Sequence, residues 1–119
     1  MDASRENAGK KAFRLGFDAA LQRFKAGGPL GFSGVRGGGH GWLIAQLEQA
    51  LPEGPLLVIR DSLRGAEALV QDLAFFGVQG VWLYPPWDTI PYDGFSPNKE
   101  LMAQRLAARA ALAEGASRV

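Results

Sequence analysis

A glycine-rich turn that leads into a helical pattern is the part of this sequence best suited to binding a phosphate. Residues 34–41 read Gly-Val-Arg-Gly-Gly-Gly-His-Gly and follow a short apolar run. On the phosphate-loop template G-x-x-x-x-G-K-[ST], Gly34 and Gly39 occupy the two glycine positions. His40 stands at the lysine position and Gly41 at the hydroxyl position. The backbone cradle can persist, but the cation and the magnesium ligand of a working loop are missing.

Two residues of this turn offer a substitute for the lysine. Arg36 lies inside the loop, and His40 can carry a positive charge at low pH. A rival hypothesis is therefore a nucleotide-binding regulatory or enzymatic domain with an atypical phosphate loop. The simpler interpretation, which we favour, is a glycine connector that packs tightly and has no catalytic residue. The predicted degenerate loop comprises Gly34, Arg36, Gly39, His40 and Gly41.

Composition narrows the remaining classes of protein. The chain has 119 residues, 47% of them hydrophobic, and 13 basic against 12 acidic side chains give a net charge of +1. This balance gives no electrostatic argument for nucleic acid or membrane binding. With no cysteine and a single histidine, we expect no metal site, and we expect no cofactor. No apolar run approaches the roughly 20 residues that span a bilayer, so a cytoplasmic protein is expected.

Apolar periodicity predicts four helices separated by glycine and proline signals. The first helix ends at Gly27-Gly28-Pro29, and its apolar face carries Phe13, Phe17, Ala20, Leu21 and Phe24. The apolar face of the second helix carries Leu43, Ile44, Leu47, Ala50 and Leu51, and the third helix is N-capped by Asp61 or Ser62. The fourth helix begins with Ser96 as N-cap and Pro97 at the first helical position, and it ends near Glu114.

Three apolar runs between these helices predict strands: Leu30–Val35, Leu56–Ile59 and Val81–Tyr84. Alternating strands and helices with short connections imply right-handed crossovers and a parallel sheet. The predicted fold class is therefore α/β, a three-layer parallel sheet flanked by helices. Residues 115–119 read as a turn entering a fourth strand, which predicts a fragment of a longer protein.

The aromatic and proline-rich stretch from Tyr84 to Tyr92, which begins at the end of the third predicted strand, is a candidate interaction surface. Trp87 and Tyr92 can anchor a protein interface, or they can hold a long loop against the last helix. Asp88 and Asp93 could act as paired carboxylates, but loop capping is the favoured interpretation because no nucleophile accompanies them. Arg105, one helical turn before Arg109, could contact a phosphate or an acidic partner, with a solvated helix face as the default.

Residues 84–97 carry the sharpest resemblance to a known family. They read Tyr-Pro-Pro-Trp-Asp-Thr-Ile-Pro-Tyr-Asp-Gly-Phe-Ser-Pro. This stretch resembles the pattern P-x-W-[DE]-x-x-P-Y-[DE]-x-x-S-P near the amino terminus of bacterial transcription-repair coupling factors. The order of the glycine turn and the following segments is also similar to the start of a superfamily 2 helicase-like module. The resemblance covers residues 12–119, nearly the whole chain.

The resemblance implies a fold and a role. Residues 1–9 would be a disordered N-terminus, and residues 10–119 the first subdomain of a P-loop NTPase or helicase-like domain. In such proteins this part copies the B component of the bacterial excision nuclease and helps to recruit the A component to a stalled RNA polymerase. The ATP-dependent DNA translocase lies far downstream. Expected partners are therefore the rest of the chain, the A component of the excision nuclease and, through other domains, RNA polymerase and DNA, with no membrane.

The resemblance also implies that two activities are absent from this segment. The degenerate loop implies no ATP turnover. The B component of the excision nuclease carries a β-hairpin for probing damaged DNA after its third strand, whereas this chain passes from Tyr84 to Ser96 in too few residues for such a hairpin. Damage verification is therefore not expected here either.

Overall fold

The structure is a computed structural model that describes residues 8, 16–51, 53–88, 94 and 96–119. The chain divides into two compact units, Met1–Val35 and Arg36–Val119. Helix α1 (16–25) belongs to the first unit. The second unit contains α2 (Gly39–Ala50), α3 (Leu63–Phe75) and α4 (Lys99–Ala113). The expected disorder of residues 1–9 lies outside the described residues, apart from residue 8.

The first unit confirms the predicted end of the first helix. After α1 the chain turns at Gly27, whose φ of +82° is a left-handed conformation suited to glycine. The N–H of Gly28 donates to the carbonyl of Arg23 at 3.2 Å, which satisfies a carbonyl of the last turn. The rings of Phe17 and Phe32 lie 6.3 Å apart. Phe13, expected on the same helix face, lies outside the described residues.

The core of the second unit lies where α2 and α3 pack together. Its buried side chains come from α2, from α3 and from the turn that follows α3: Ala45, Leu69, Leu73 and Val78. The N-cap of α3 is Ser62, whose Oγ accepts a hydrogen bond from the N–H of Gly65 at 3.1 Å. The predictions of the second and third helices and of this cap are confirmed.

The fourth helix begins later than the sequence pattern predicted. Its N-cap is Asn98, whose Oδ1 accepts a hydrogen bond from the N–H of Glu100 at 2.9 Å. Asparagine caps a helix as well as serine does, and Asn98 takes this position instead of Ser96. The predicted start at Ser96-Pro97 is therefore wrong by two residues, while the end at Ala113 agrees with the sequence.

The predicted α/β class is wrong for the part of the chain that the structure describes, which contains four helices and no strand. The runs 30–35, 56–59 and 81–84 form no ladder with one another. A strand exists only when a neighbouring strand receives its backbone hydrogen bonds, and apolar composition cannot supply that neighbour. Leu57 and Ile59, expected to be buried on a sheet face, are 88% and 85% exposed.

The last four residues connect the separate parts of the second unit. The N–H of Leu56 donates to the carbonyl of Arg118 at 2.9 Å, and the N–H of Trp82 donates to the carbonyl of Val119 at 2.8 Å. The Arg118 guanidinium donates through Nε to Glu48 on α2 at 2.8 Å. Residues 116–119 therefore contact α2 and both of the apolar runs that follow it.

Gly80 allows this close approach. Its φ is +68°, and a Cβ built on it would lie 2.7 Å from the Ala116 carbonyl oxygen. We expect Gly80→Ala to lower the free energy of unfolding by about 2–4 kcal/mol, because a backbone carbonyl must move and the φ is strained. Equilibrium urea unfolding measures this loss.

Gly77→Ala is the matched control. Gly77 has a similar φ of +78°, but among the described residues no atom lies within 4 Å of its Cβ position. It should cost only about 1 kcal/mol, the conformational strain alone. Equal losses in the two variants would show that the contact between Gly80 and residue 116 has no energetic importance.

Candidate functional site

The glycine turn uses its amide groups internally. The N–H of Gly39 donates to the carbonyl of Arg36 at 3.0 Å, and the N–H of His40 points to the carbonyl of Gly37 at 3.4 Å. The N–H of Trp42 donates to Gly38 at 3.0 Å. A phosphate cradle needs the amides at a helix N-terminus to be free for the anion. In this chain the amides of Gly39 and His40, both in the first turn of α2, already bond to carbonyls of the glycine turn. These two amides are therefore not free for an anion.

Gly41, at the hydroxyl position of the template, faces the neighbouring helix. It is buried, and a Cβ built on it would lie 2.6 Å from Cβ of Asp72 and 3.4 Å from a ring carbon of Phe76. A serine or threonine, which would supply the magnesium ligand, does not fit this position without moving α3. Glycine stands here because α2 and α3 pack closely.

The other residues of the predicted loop are placed differently. Arg36 is exposed and His40 is half-buried at the start of α2. Gly34 adopts a φ of +75° and belongs to the first unit, whereas residues 36–41 belong to the second. The boundary between the two compact units therefore crosses the template.

A second cluster forms around Arg105 on α4. Its guanidinium carbon lies 4.0 Å from the ring centroid of Tyr84 and 4.2 Å from that of Trp87. The same group donates to the Tyr84 hydroxyl at 2.7 Å and to the carbonyl of Pro85, which is fully buried. A guanidinium suits this position because it is planar and can stack and donate at once. We call Tyr84, Pro85, Trp87 and Arg105 the aromatic clamp.

The clamp unites only part of the predicted site. Asp88 and Arg109 are exposed, and Tyr92 and Asp93 lie outside the described residues. Within the clamp, Arg105 is half-buried, while Trp87 and Tyr84 each keep about half of their surface exposed. Tyr84 and Pro85 belong to the stretch that the sequence predicted as an interaction or structural loop, but they were not singled out there as site residues. The sequence signal that could have indicated the clamp is the pair of aromatic residues, Tyr84 and Trp87, ahead of a helix that carries Arg105.

Metal-binding and membrane-spanning features are absent from the described ranges. No group of three His, Cys, Asp or Glu side chains there could hold a metal ion. No helix in those ranges is long and apolar enough to cross a membrane.

Comparisons with known proteins agree on one family. A transcription-repair-coupling factor from Myxococcus xanthus is 33% identical over 121 aligned residues, which cover 96% of this chain and 10% of that protein. The factor from Haemophilus influenzae is 40% identical over 44% of this chain, and that from Escherichia coli is 31% identical over 55%. This chain belongs to the transcription-repair coupling factor family.

These matches cover only a small part of each relative. The chain spans about a tenth of the length of the Myxococcus relative, and the alignments with the other two cover 4% and 6% of those proteins. No protein-family model matches the chain, and no solved structure matches it. The expectation drawn from residues 84–97 is confirmed at the level of the family.

The packing of Gly41 makes a specific prediction. Gly41→Ala should lower the free energy of unfolding by about 2–4 kcal/mol, since α2 and α3 must separate to admit a methyl group. Gly38→Ala is the control, because Gly38 has a helical φ of −62° and, among the described residues, no atom within 4 Å of its Cβ position. It should be close to neutral in urea unfolding. If Gly41→Ala left the free energy of unfolding unchanged, a methyl group would fit between Gly41 and Asp72 and the close packing would be refuted.

The clamp makes another prediction. Arg105→Lys keeps the charge but loses the planar stack and the fork of donors, so we expect a loss of about 1–3 kcal/mol in the free energy of unfolding. Arg109→Lys, on an exposed position one turn later, should change stability by less than about 0.5 kcal/mol. Thermal and urea unfolding of both variants test this. A pair of equal, small effects would show that the clamp does not stabilise the fold.

Proposed function

We propose that this chain is the non-catalytic amino-terminal module of a transcription-repair coupling factor, serving as a scaffold and an interaction surface. The single observation that carries the proposal is the packing of Gly41 against Asp72. It leaves no room for a magnesium-binding hydroxyl at the position where a phosphate loop needs one. Family membership supplies the context, because its relatives are named for coupling transcription to repair.

The whole protein, in this proposal, is an ATP-dependent DNA translocase that displaces a stalled RNA polymerase and recruits nucleotide excision repair. The segment's own partners are the rest of its chain and the A component of the excision nuclease. RNA polymerase and DNA are engaged through other domains. This assignment rests on the resemblance of residues 84–97 and on the coverage of about a tenth of the Myxococcus relative.

The aromatic clamp gives the interaction role a physical basis. Trp87 is half-exposed, and its ring is held in place by Arg105. A large aromatic side chain that is already ordered loses little conformational freedom on binding, which favours its use as an interface anchor. Trp82 is also 42% exposed on the preceding segment. Trp87 is the proposed contact for a protein partner, and Trp82 is a second exposed aromatic side chain available for such a contact.

The rival function is nucleotide binding with Arg36 or His40 in place of the lysine. Exposed Arg36 is the feature that favours it. The two functions differ in what the glycine turn binds, so they can be separated by direct titration.

We predict no calorimetric binding of Mg·ATP to the 119-residue chain tighter than about 100 µM, which corresponds to roughly −5.5 kcal/mol. In the longer protein, Arg36→Ala and His40→Ala should leave the rate of ATP hydrolysis unchanged, because the turn contributes neither a cation nor a metal ligand to it. Gly38→Ala serves as the control for changes in the turn itself. Tighter binding that Arg36→Ala abolishes would favour the rival function.

A further inference from the structure

The aromatic clamp presents two ordered rings to solvent. The ring centroids of Tyr84 and Trp87 lie 4.0 and 4.2 Å from the same guanidinium carbon of Arg105, so the two rings are neighbours on the surface. Both side chains are about half exposed, and the fully buried Pro85 anchors the segment that carries them. Rings that are already fixed in place lose little conformational freedom when a ligand covers them.

The polar groups that the two rings offer to a ligand are hydrogen-bond donors. The Tyr84 hydroxyl oxygen accepts from Arg105 at 2.7 Å, and the Pro85 carbonyl oxygen accepts from the same guanidinium. The hydroxyl proton of Tyr84 is therefore left to donate. The indole N–H of Trp87 is a donor only, and it has no hydrogen-bond partner among the described residues. Two donors beside two rings suit a ligand that offers acceptors together with compact apolar surface.

A proline-rich segment is the kind of peptide that meets this requirement. Proline has no N–H, and a polyproline II backbone makes no internal hydrogen bonds, so its carbonyl oxygens remain free to accept. Its rings supply the compact apolar surface, and its stiff backbone lowers the entropic cost of binding. Segments of this kind bind to surfaces lined by aromatic side chains in several families of protein modules.

The charges around the clamp favour a basic ligand over an acidic one. Arg105 is half-buried, and its guanidinium is engaged by two rings, a hydroxyl and a carbonyl. Asp88 directly follows Trp87 and is exposed, and its carboxylate has no ion pair in the part of the chain that the structure describes. An arginine or lysine beside the prolines of a ligand complements this carboxylate, whereas a polyanion meets it with like charge.

We propose that the aromatic clamp and Asp88 bind an extended, proline-rich segment of a partner protein, with a basic residue beside the prolines. The prolines pack on the rings of Tyr84 and Trp87, and these two side chains donate to carbonyl oxygens of the segment. The basic residue pairs with the Asp88 carboxylate. This inference rests on the interaction role proposed above, for which it names the chemistry of the partner, and it does not involve the glycine turn.

Two other kinds of peptide suit the clamp less well. A segment that binds by adding to a sheet recognises rows of backbone amides and carbonyls, whereas the clamp offers side-chain donors and rings. An amphipathic helix inserts apolar side chains into a hydrophobic groove and keeps its backbone groups to itself. Such a helix would leave the donors of Tyr84 and Trp87 without partners.

Nuclear magnetic resonance of the isotope-labelled 119-residue chain, titrated with a synthetic peptide, tests the proposal. The probe consists of Pro-Pro-Ala repeats with one arginine, about ten residues in a backbone that rises roughly 3.1 Å per residue. The chain has three tryptophans, and the indole resonance that Trp87→Phe removes is that of Trp87. We expect this resonance to shift with a dissociation constant of about 1 mM or tighter, while the indole resonance of Trp42 on α2 stays in place.

Substitutions in the clamp separate the contributions of the rings and the donors. Trp87→Ala should weaken peptide binding at least about 10-fold. Tyr84→Phe and Trp87→Phe keep a ring but lose a donor, so each should weaken binding by about 3–10-fold. The matched control is Phe75→Ala, because Phe75 is 84% exposed at the end of α3 and lies outside the clamp; it should change binding by less than about 2-fold. Thermal unfolding shows whether each variant is folded, and if Trp87→Ala is not, the two phenylalanine variants decide the question.

A second peptide, with glutamate in place of arginine, tests the charge of the ligand. The arginine peptide should bind at least about 3-fold more tightly, as expected for an exposed ion pair. Asp88→Asn should bring this ratio to about 1, because it removes the carboxylate that distinguishes the two peptides. Glu67→Gln is the control, since it removes an exposed carboxylate on α3, and it should leave the ratio unchanged.

The contrary results overturn the proposal. No shift of the Trp87 indole resonance, or binding that persists in a folded Trp87→Ala variant, would show that the clamp is not the site. A ratio that Asp88→Asn leaves unchanged would refute the basic residue. Tighter binding of a single-stranded oligonucleotide of about ten nucleotides, weakened by Trp87→Ala and by Arg109→Ala, would assign the rings to base stacking instead.

Failure of this inference is distinguishable from failure of the proposed function. If the peptide does not bind but Trp87→Ala weakens binding of the A component of the excision nuclease to the longer protein, the interaction role stands and the chemistry named here is wrong. The non-catalytic role fails by a separate measurement, the binding of Mg·ATP at the glycine turn.

Discussion

The second unit depends on the close approach of residues 116–119 to three other parts of the chain. These residues bond to Leu56, to the backbone at Gly80 and Trp82, and through Arg118 to Glu48 on α2. Gly80 makes the approach possible, because any side chain at that position would meet the carbonyl of residue 116. Without this set of contacts, two apolar segments that form no ladder would have no backbone partner and little reason to lie over α3.

The same requirement for close packing explains the glycine turn. Gly41 lets α2 approach α3 until the Cβ of Asp72 fills the space of a missing side chain. A phosphate loop needs a small residue before its helix for a different reason, to admit an anion. In this chain the space is taken by protein, and amides of Gly39 and His40 point back into the turn. Gly41 therefore serves close helix packing in this chain, which is consistent with the proposed scaffold role.

The sequence predicted local features well and long-range ones poorly. The cap at Ser62 and the end of α1 at Gly27 depend on residues within one turn of each other, so their signals are complete in the sequence. The strand predictions were wrong because the runs 56–59 and 81–84 need a neighbouring strand to form a ladder, and the described residues provide none. Arg105 was assigned to a solvated helix face by default. Its hydrogen bonds are with residues 20 and 21 positions away, a separation that no local pattern reveals.

By itself, the sequence determined the positions of the helices to within about two residues, the presence of His40 and Gly41 instead of a lysine and a hydroxyl residue, and the membership of a family through residues 84–97. These follow from residue identity and short spacing. The tertiary structure alone decided that Gly41 faces Asp72, that Arg105 stacks on Tyr84 and Trp87, and that residues 118–119 bond to two segments that form no ladder with each other. The physical reason is that each of these is a contact between distant parts of the chain, whose free energy depends on how the helices pack.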